Sequence, residues 1–230
     1  MRIDVYPTIQ DLEKEKLSGA DCVVIDVLRM TSTAVNALYS GARRIKLAGD
    51  ERVARELSLS ENALLGGERG GVRLPGFAFG NSPLEYTREK VKGRDIVMTT
   101  TNGARAAEAA IGAKSVRLCS FINVRAVAES LKASDHIIIL CAGTHDKFSL
   151  DDCLCAGALC AYLNADEAND LAVGMRLLFE AYKDDIPLVL RQTKHYRYLE
   201  SIGFTDDLAF SLRINTHSCV PMMDEDGWFS

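Results

Sequence analysis

The sequence predicts an α/β protein of three layers, α/β/α, built on a largely parallel or mixed sheet, with a helical C-terminal third. Two observations predict it. Short β-branched runs alternate with amphipathic stretches, at the spacing of strand, helix and strand, as far as residue 149. Beyond that point the strand-like runs give way to segments of helical period.

Strands are expected at 3–6, 22–28, 44–48, 63–65, 95–99, 115–118 and 136–141, where Val, Ile and Leu cluster. Helices are expected between them at 11–17, 33–40, 51–57, 83–90, 104–111 and 124–132. Further helices are expected at 150–163, 171–182, 193–202 and 206–214, with 186–190 readable as either element. No linker, low-complexity tract or charge block interrupts the chain, so residues 1–230 read as a single domain. The acidic tail 224–230 holds the one tryptophan, Trp228, which is expected to pack on the body or on a partner.

The chain has 230 residues and is 47% hydrophobic, enough for a substantial core. Its formal net charge of −5 leaves no global basic field, which argues against nucleic acid and anionic lipid as partners. An anionic ligand must then be held by local cations and backbone dipoles. The central apolar run 137–142 is too short to cross a bilayer, and the first residues lack a signal-peptide pattern. A cytoplasmic, soluble protein is expected, with a homodimer as the base-rate assembly. Seven cysteines, an odd number lying in apolar runs, point to reduced, buried thiols.

Two strand-to-helix junctions resemble each other. One carries Asp26 and Arg29 ahead of Thr31, Ser32 and Thr33; the other carries Thr100, Thr101 and Asn102 ahead of Arg105. Free amide hydrogens and the positive end of a helix attract phosphate, sulfonate or carboxylate. Hydroxyls and guanidinium groups add donors. The same Ser and Thr residues also serve as ordinary helix caps. A carboxylate at the end of an apolar strand, such as Asp26, needs an ion pair, water or a metal; the two readings here are a pair with Arg29 and a Mg²⁺ ligand. Residue 28 is Leu, which excludes the paired-aspartate motif of haloacid-dehalogenase phosphatases.

Between 66 and 80, six glycines precede Asn81 and surround Glu68, Arg69 and Arg73. Glycine allows positive φ and close approach of backbone to ligand, and the spacing matches neither a Walker loop nor a dinucleotide fingerprint. Glu68 is a candidate metal ligand, and Arg69 and Arg73 are candidate anion clamps. Ser82-Pro83-Leu84-Glu85 fits a capping box, as does Ser149-Leu150-Asp151-Asp152. Cap and dipole explain Asp152; Asp151 has less structural reason to be there, and either is a candidate metal ligand. Cys119 and Arg125 satisfy a cysteine-phosphatase spacing, but the bulky intervening residues cannot wrap a phosphate. Cys141, His145, Cys153 and Cys155 match no common zinc spacing. His145 is a candidate proton donor to a leaving alkoxide; His195 has no distinguishing context.

Seven motifs together resemble the 2-phosphosulfolactate phosphatase family. They are Asp-Val-Leu-Arg-Met-Thr-Ser-Thr (26–33), Gly-Gly-Glu-Arg-Gly-Gly (66–71), Gly-Asn-Ser-Pro-Leu-Glu-Tyr (80–86), Thr-Thr-Thr-Asn-Gly-Ala-Arg-Ala (99–106), Ser-Phe-Ile-Asn (120–123), Cys-Ala-Gly-Thr (141–144) and Phe-Ser-Leu-Asp-Asp (148–152). The resemblance implies a Mg²⁺-dependent acid phosphatase on a three-layer α/β fold, converting 2-phosphosulfolactate to sulfolactate and phosphate, a step of coenzyme M biosynthesis in some organisms. Ala78 departs from the pattern, which leads one to expect Asp there. The helical C-terminal third carries none of these motifs.

On this reading the substrate is a small, multiply anionic phospho-acid. Asp26, Arg29, Glu68 and Arg69 are the expected catalytic residues. Thr31, Ser32, Thr33, Arg73, Asn81, Thr100, Thr101, Asn102 and Arg105 are expected to bind substrate, and Asp26, Glu68, Asp151 and Asp152 to bind Mg²⁺. The rival readings are a phosphatase for another small phospho-hydroxy acid and a non-catalytic anion-binding protein.

Overall fold

Apolar runs with no polar face dictate strands buried on both sides. In the computed structural model, which describes residues 1–230, they form two sheets. The strands are β1 (Arg2–Tyr6), β2 (Asp21–Ile25), β3 (Arg44–Leu47), β4 (Leu64–Arg69), β5 (Val72–Arg73), β6 (Asp95–Thr99), β7 (Ser115–Cys119), β8 (His136–Cys141), β9 (Glu167–Ala168) and β10 (Trp228–Phe229). The first sheet has the order β7-β2-β8-β1-β9 and is wholly parallel. The second, β10-β3-β6-β4-β5, is parallel in its centre and antiparallel at both edges.

The α-helices are α1 (Met30–Tyr39), α2 (Glu51–Glu61), α3 (Arg88–Val91), α4 (Gly103–Ala109), α5 (Val124–Ser130), α6 (Leu150–Leu163), α7 (Asp170–Tyr182), α8 (Ile186–Leu190), α9 (Lys194–Ser201) and α10 (Thr205–Ser211). Alternate residues of β2 point to opposite faces and separate two cores. Val23 and Ile25 join α5, α6 and α7 in one, while Cys22 and Val24 join α1 and α4 in the other. The expected α/β/α layering is therefore present around the first sheet. The sequence does not announce the second sheet, which packs on the far side of α1 and α4 through Ile45, Ile96 and Met98. Its outer face receives α2. No helix is long and apolar enough to cross a membrane.

Several expected elements change. Residues 11–17 form two 3₁₀ turns, Ile9–Asp11 and Lys14–Lys16, neither with a buried residue to anchor a full helix. The helix expected at 83–90 breaks into the 3₁₀ turn Pro83–Glu85 and the single turn of α3. Tyr86, between them, is wholly buried and donates its hydroxyl to Gly80 C=O at 2.8 Å. The Ser82 capping box does not form, because Ser82 Oγ instead bonds Asp207 and Glu85 accepts from Gly80 N–H. The strand expected at 63–65 runs on to Arg69. Its glycines are ladder residues: a Cβ on Gly67 would lie 2.2 Å from Thr99 C=O. The ambiguous 186–190 segment is helical.

The acidic tail packs on the body. β10 pairs with β3, placing Trp228 Cα opposite Lys46, and the indole is 2% exposed beneath the Arg44 guanidinium, 4.0 Å from the ring centre. Truncating Trp228 to Ala is expected to cost about 3–5 kcal/mol. Urea denaturation should show a lowered midpoint with an unchanged slope.

Candidate active site

Parallel strands deliver their carboxyl ends to one edge. In the first sheet the register aligns Ile25 with Cys119 and with Cys141, and in the second it aligns Gly67 with Thr99. The segments leaving β2, β4, β6 and β8 all reach one cavity of about 600 Å³. Arg29, Asn102, Ser149 and Thr193, the residues preceding α1, α4, α6 and α9, all line it. Four helix N-termini thus face the same space, each contributing partial positive charge.

Asp26 directly follows β2 and lines the cavity, 8% exposed. Its Oδ1 accepts from Met30 N–H at 3.3 Å. Gly103, the first residue of α4, lies so close that a Cβ there would sit 2.3 Å from Asp26 Oδ2. Burial raises the Asp26 pKa to about 7; His195 opposes the rise, while Asp151 and Glu68 add to it. Glu68 fixes the cavity rim. Its Oε1 accepts from Thr101 N–H at 2.8 Å and Thr101 Oγ1 at 3.0 Å, and its Oε2 accepts from Gly71 N–H at 2.7 Å.

Arg29 lines the cavity but its guanidinium is engaged elsewhere. One nitrogen donates to Asp207 Oδ2 at 2.6 Å, another to Gly71 C=O at 2.8 Å, and the plane lies 3.8 Å over Phe204. Ser82 Oγ donates to the other Asp207 oxygen at 2.7 Å. This clasp binds the first strand-end loop to α10.

The three hydroxyls after Arg29 do not face the cavity. Thr31 Oγ1 donates to Asp26 C=O, Ser32 Oγ to Val27 C=O, and Thr33 Oγ1 to Asn81 C=O. All three are buried, bonding back to carbonyls of neighbouring loops, so any anion contact at this turn must come from the backbone. Arg69 also turns away, donating to Glu68 C=O, Gly49 C=O and Thr99 Oγ1. Arg73 sits on exposed β5, and Thr100 Oγ1 caps α4 by accepting from Ala104 N–H. Arg105 is half-exposed and pairs with Asp146 at 3.0 Å. None of these seven lines the cavity.

Thr101, Asn102 and Asn81 do line it. Asn102 Oδ1 accepts from His145 N–H at 3.2 Å, tying the loop after β8 to α4. Asn81 is 5% exposed and its Oδ1 has no protein donor, which leaves its amide for a ligand. Ala78 is exposed and outside the cavity lining.

The two aspartates at the start of α6 separate in role. Asp152 does not line the cavity; its two oxygens accept from Val27 N–H at 2.8 Å and Gly143 N–H at 3.0 Å, joining the ends of β2 and β8. Burial, with Asp151 and Asp26 nearby, holds its pKa well above the carboxylate range. Asp151, 1% exposed, faces His195, whose Nδ1 lies 3.3 Å from Asp151 Oδ2. That approach is an ion-pair distance outside hydrogen-bond geometry, and Oδ2 has no hydrogen-bond partner in the protein. Burial alone would raise the Asp151 pKa; the imidazole beside it and Ser149 bring it below the usual value. Burial would likewise lower the His195 pKa, but Asp151 and then Asp26 raise it.

His195 and Lys194 belong to α9, and with Lys147 and Tyr198 they line the cavity unforeseen by sequence. The only local signal was Thr193, an N-cap whose Oγ1 accepts from Tyr196 N–H. The thiols are all free. Cys141 and Cys153, 3.8 Å apart in the core, lie outside the cavity, and their contact together with burial raises the Cys141 pKa well above normal, against a nucleophilic thiolate.

No three His, Cys, Asp or Glu side chains form a ready-made cation cage. Mg²⁺ needs none, since it is held by one or two carboxylates together with water and substrate phosphate. Asp26 and Glu68 suit that pattern: both line the cavity, and Asp26 is a buried acid among like charges that a divalent cation would neutralise. Asp151 is taken up by His195, and Asp152 lies outside the cavity lining.

The family model described as 2-phosphosulpholactate phosphatase matches residues 6–226. Among curated relatives, a "Probable 2-phosphosulfolactate phosphatase" of Symbiobacterium thermophilum is 42% identical over 220 residues, covering 92% of this chain and 94% of the relative. One of the same description from Caldicellulosiruptor saccharolyticus is 39% identical over 231 residues, covering 96% of each. A third, from Caldanaerobacter subterraneus, is 37% identical over 230 residues, covering 97% of this chain and 95% of the relative.

The Arg29 clasp yields a stability test. Replacing Asp207 with Ala leaves a guanidinium that is 2% exposed without its counter-ion. The expected loss is about 3–5 kcal/mol in denaturant titration; a loss below about 1 kcal/mol would show that the clasp is not needed to hold α10.

Proposed function

Since this chain belongs to the 2-phosphosulpholactate phosphatase family, we propose that it hydrolyses 2-phosphosulfolactate to sulfolactate and phosphate with Mg²⁺ as its cofactor. The observation that carries the reading is the meeting of four helix N-termini with three buried cavity carboxylates, of which Asp26 and Glu68 are the ones not facing an imidazole. The substrate bears a phosphate, a sulfonate and a carboxylate on three carbons. Such crowding of negative charge calls for several separate positive sites, and in a protein of net charge −5 those sites must be local.

The residues divide the work. The first turns of α1 and α4, with Asn81 and Asn102, offer donors that orient anionic groups. Lys147 and Lys194 line the cavity as cations outside any ion pair of the structure. Asp26 and Glu68 would hold Mg²⁺. When bound, that ion neutralises phosphate oxygens and stabilises charge developing in phosphoryl transfer. Glu68, by holding the amides of Gly71 and Thr101, keeps both sides of the cavity at fixed separation. The setting we propose is cytoplasmic, on the route to coenzyme M.

Phosphate release from 2-phosphosulfolactate is expected to require Mg²⁺, to stop with EDTA and to return on adding the metal back. Asp26→Asn is expected to raise the Mg²⁺ concentration needed for half-maximal rate by at least tenfold. An unchanged Mg²⁺ profile in that variant would remove Asp26 from the metal site. No metal-dependent turnover of any phospho-acid would favour the anion-binding alternative.

A further inference from the structure

The leaving group of a 2-hydroxy acid phosphate is an aliphatic alkoxide, far too basic to depart readily without a proton. The cavity holds two histidines, placed very differently. His145 is an exposed loop residue with φ of +51° and no carboxylate within ion-pair distance. His195 is mostly enclosed, its side chain 19% exposed, and held by two groups through one nitrogen. Nδ1 lies 3.3 Å from Asp151 Oδ2 and 3.3 Å from Thr144 Oγ1. Asp151 is itself fixed: Ser149 Oγ donates to its Oδ1, and Thr144 Oγ1 and Ser149 Oγ are 3.0 Å apart. The ring is thus anchored to the loop after β8 and the start of α6, although it comes from α9. Its other nitrogen, Nε2, makes no hydrogen bond to protein and is the one left to the cavity that His195 lines.

We propose that His195 is the general acid of the reaction, giving its Nε2 proton to the departing oxygen, and that Asp151 is its positioning residue. The ester P–O bond breaks with its electron pair passing to the substrate oxygen, which takes the proton from Nε2 and leaves as the alcohol. Water is the net phosphoryl acceptor: its oxygen forms the new P–O bond, one of its protons stays with phosphate, and the other restores the ring by way of solvent. The reactive cavity is then complete only when the C-terminal helices are docked on the first sheet, although the family motifs all lie before residue 153.

The inference rests on the phosphatase reading, and a leaving-group comparison separates the two. Wild type, His195→Gln and Asp151→Asn are assayed with Mg²⁺ on phospholactate, whose leaving alkoxide needs a proton, and on p-nitrophenyl phosphate, whose leaving phenolate does not. His195→Gln is expected to lower kcat on phospholactate by about 10²–10⁴-fold, with a loss on the nitrophenyl ester at least tenfold smaller. Asp151→Asn is expected to show the same asymmetry with a smaller loss. Equal losses on both esters, or no loss on phospholactate, would overturn the assignment while leaving the phosphatase reading intact. Wild-type enzyme inert toward both esters and toward 2-phosphosulfolactate would overturn the reading and the assignment together. Should His195→Gln fail to fold, His195→Asn carries the same comparison.

Discussion

The molecule is organised around a concentration of buried acid. Asp26, Glu68, Asp151 and Asp152 are all under a tenth exposed and meet where the strand ends of two sheets converge. Carboxylates taken out of water cost several kcal/mol each unless they are paired or hydrogen-bonded. Each has its own compensation: Glu68 and Asp152 accept backbone amides, Asp151 faces an imidazole, and Asp26 accepts one amide. Asp26 is compensated least, by a single backbone amide, and burial raises its pKa to about 7.

These compensations also join the fold. Asp152 bonds Val27 and Gly143, so α6 fixes the ends of β2 and β8 at once. Glu68 bonds Thr101 and Gly71, so β4 fixes the start of α4 and the turn before β5. Arg29 bonds Asp207 and Gly71, drawing the C-terminal helices onto the same edge. The polar network around the cavity is therefore the joint between sheets as well as the candidate site. A change made to one member for the sake of chemistry alters the packing of its partners, and activity and stability have to be measured side by side.

The hydroxyl-rich junctions show how neighbouring residues of one sequence signal divide between the cavity and the buried backbone. Thr31, Ser32 and Thr33 stand at the edge of the cavity region, yet the hydroxyls of Thr31 and Ser32 bond carbonyls five residues back, at 26 and 27, and that of Thr33 bonds the distant carbonyl of residue 81. Buried hydroxyls take the nearest acceptor, and here that is backbone. The same logic removes Arg69, whose donors are consumed by Glu68, Gly49 and Thr99.

The sequence by itself determined the α/β class, the first sheet and most of the helices, because hydrophobic periodicity is local and survives without knowledge of neighbours. It also located Asp26, Glu68, Asn81, Thr101 and Asn102, since strand ends and a glycine-rich turn are visible in a short window. Only the tertiary structure decided the second sheet, whose edge strand β10 pairs with β3 across more than 180 residues. It alone brought His195 to Asp151, two residues 44 positions apart on different helices. Neither has a motif of its own. Their juxtaposition follows from packing α9 against the strand ends, and a contact made by packing leaves no periodic trace in the chain.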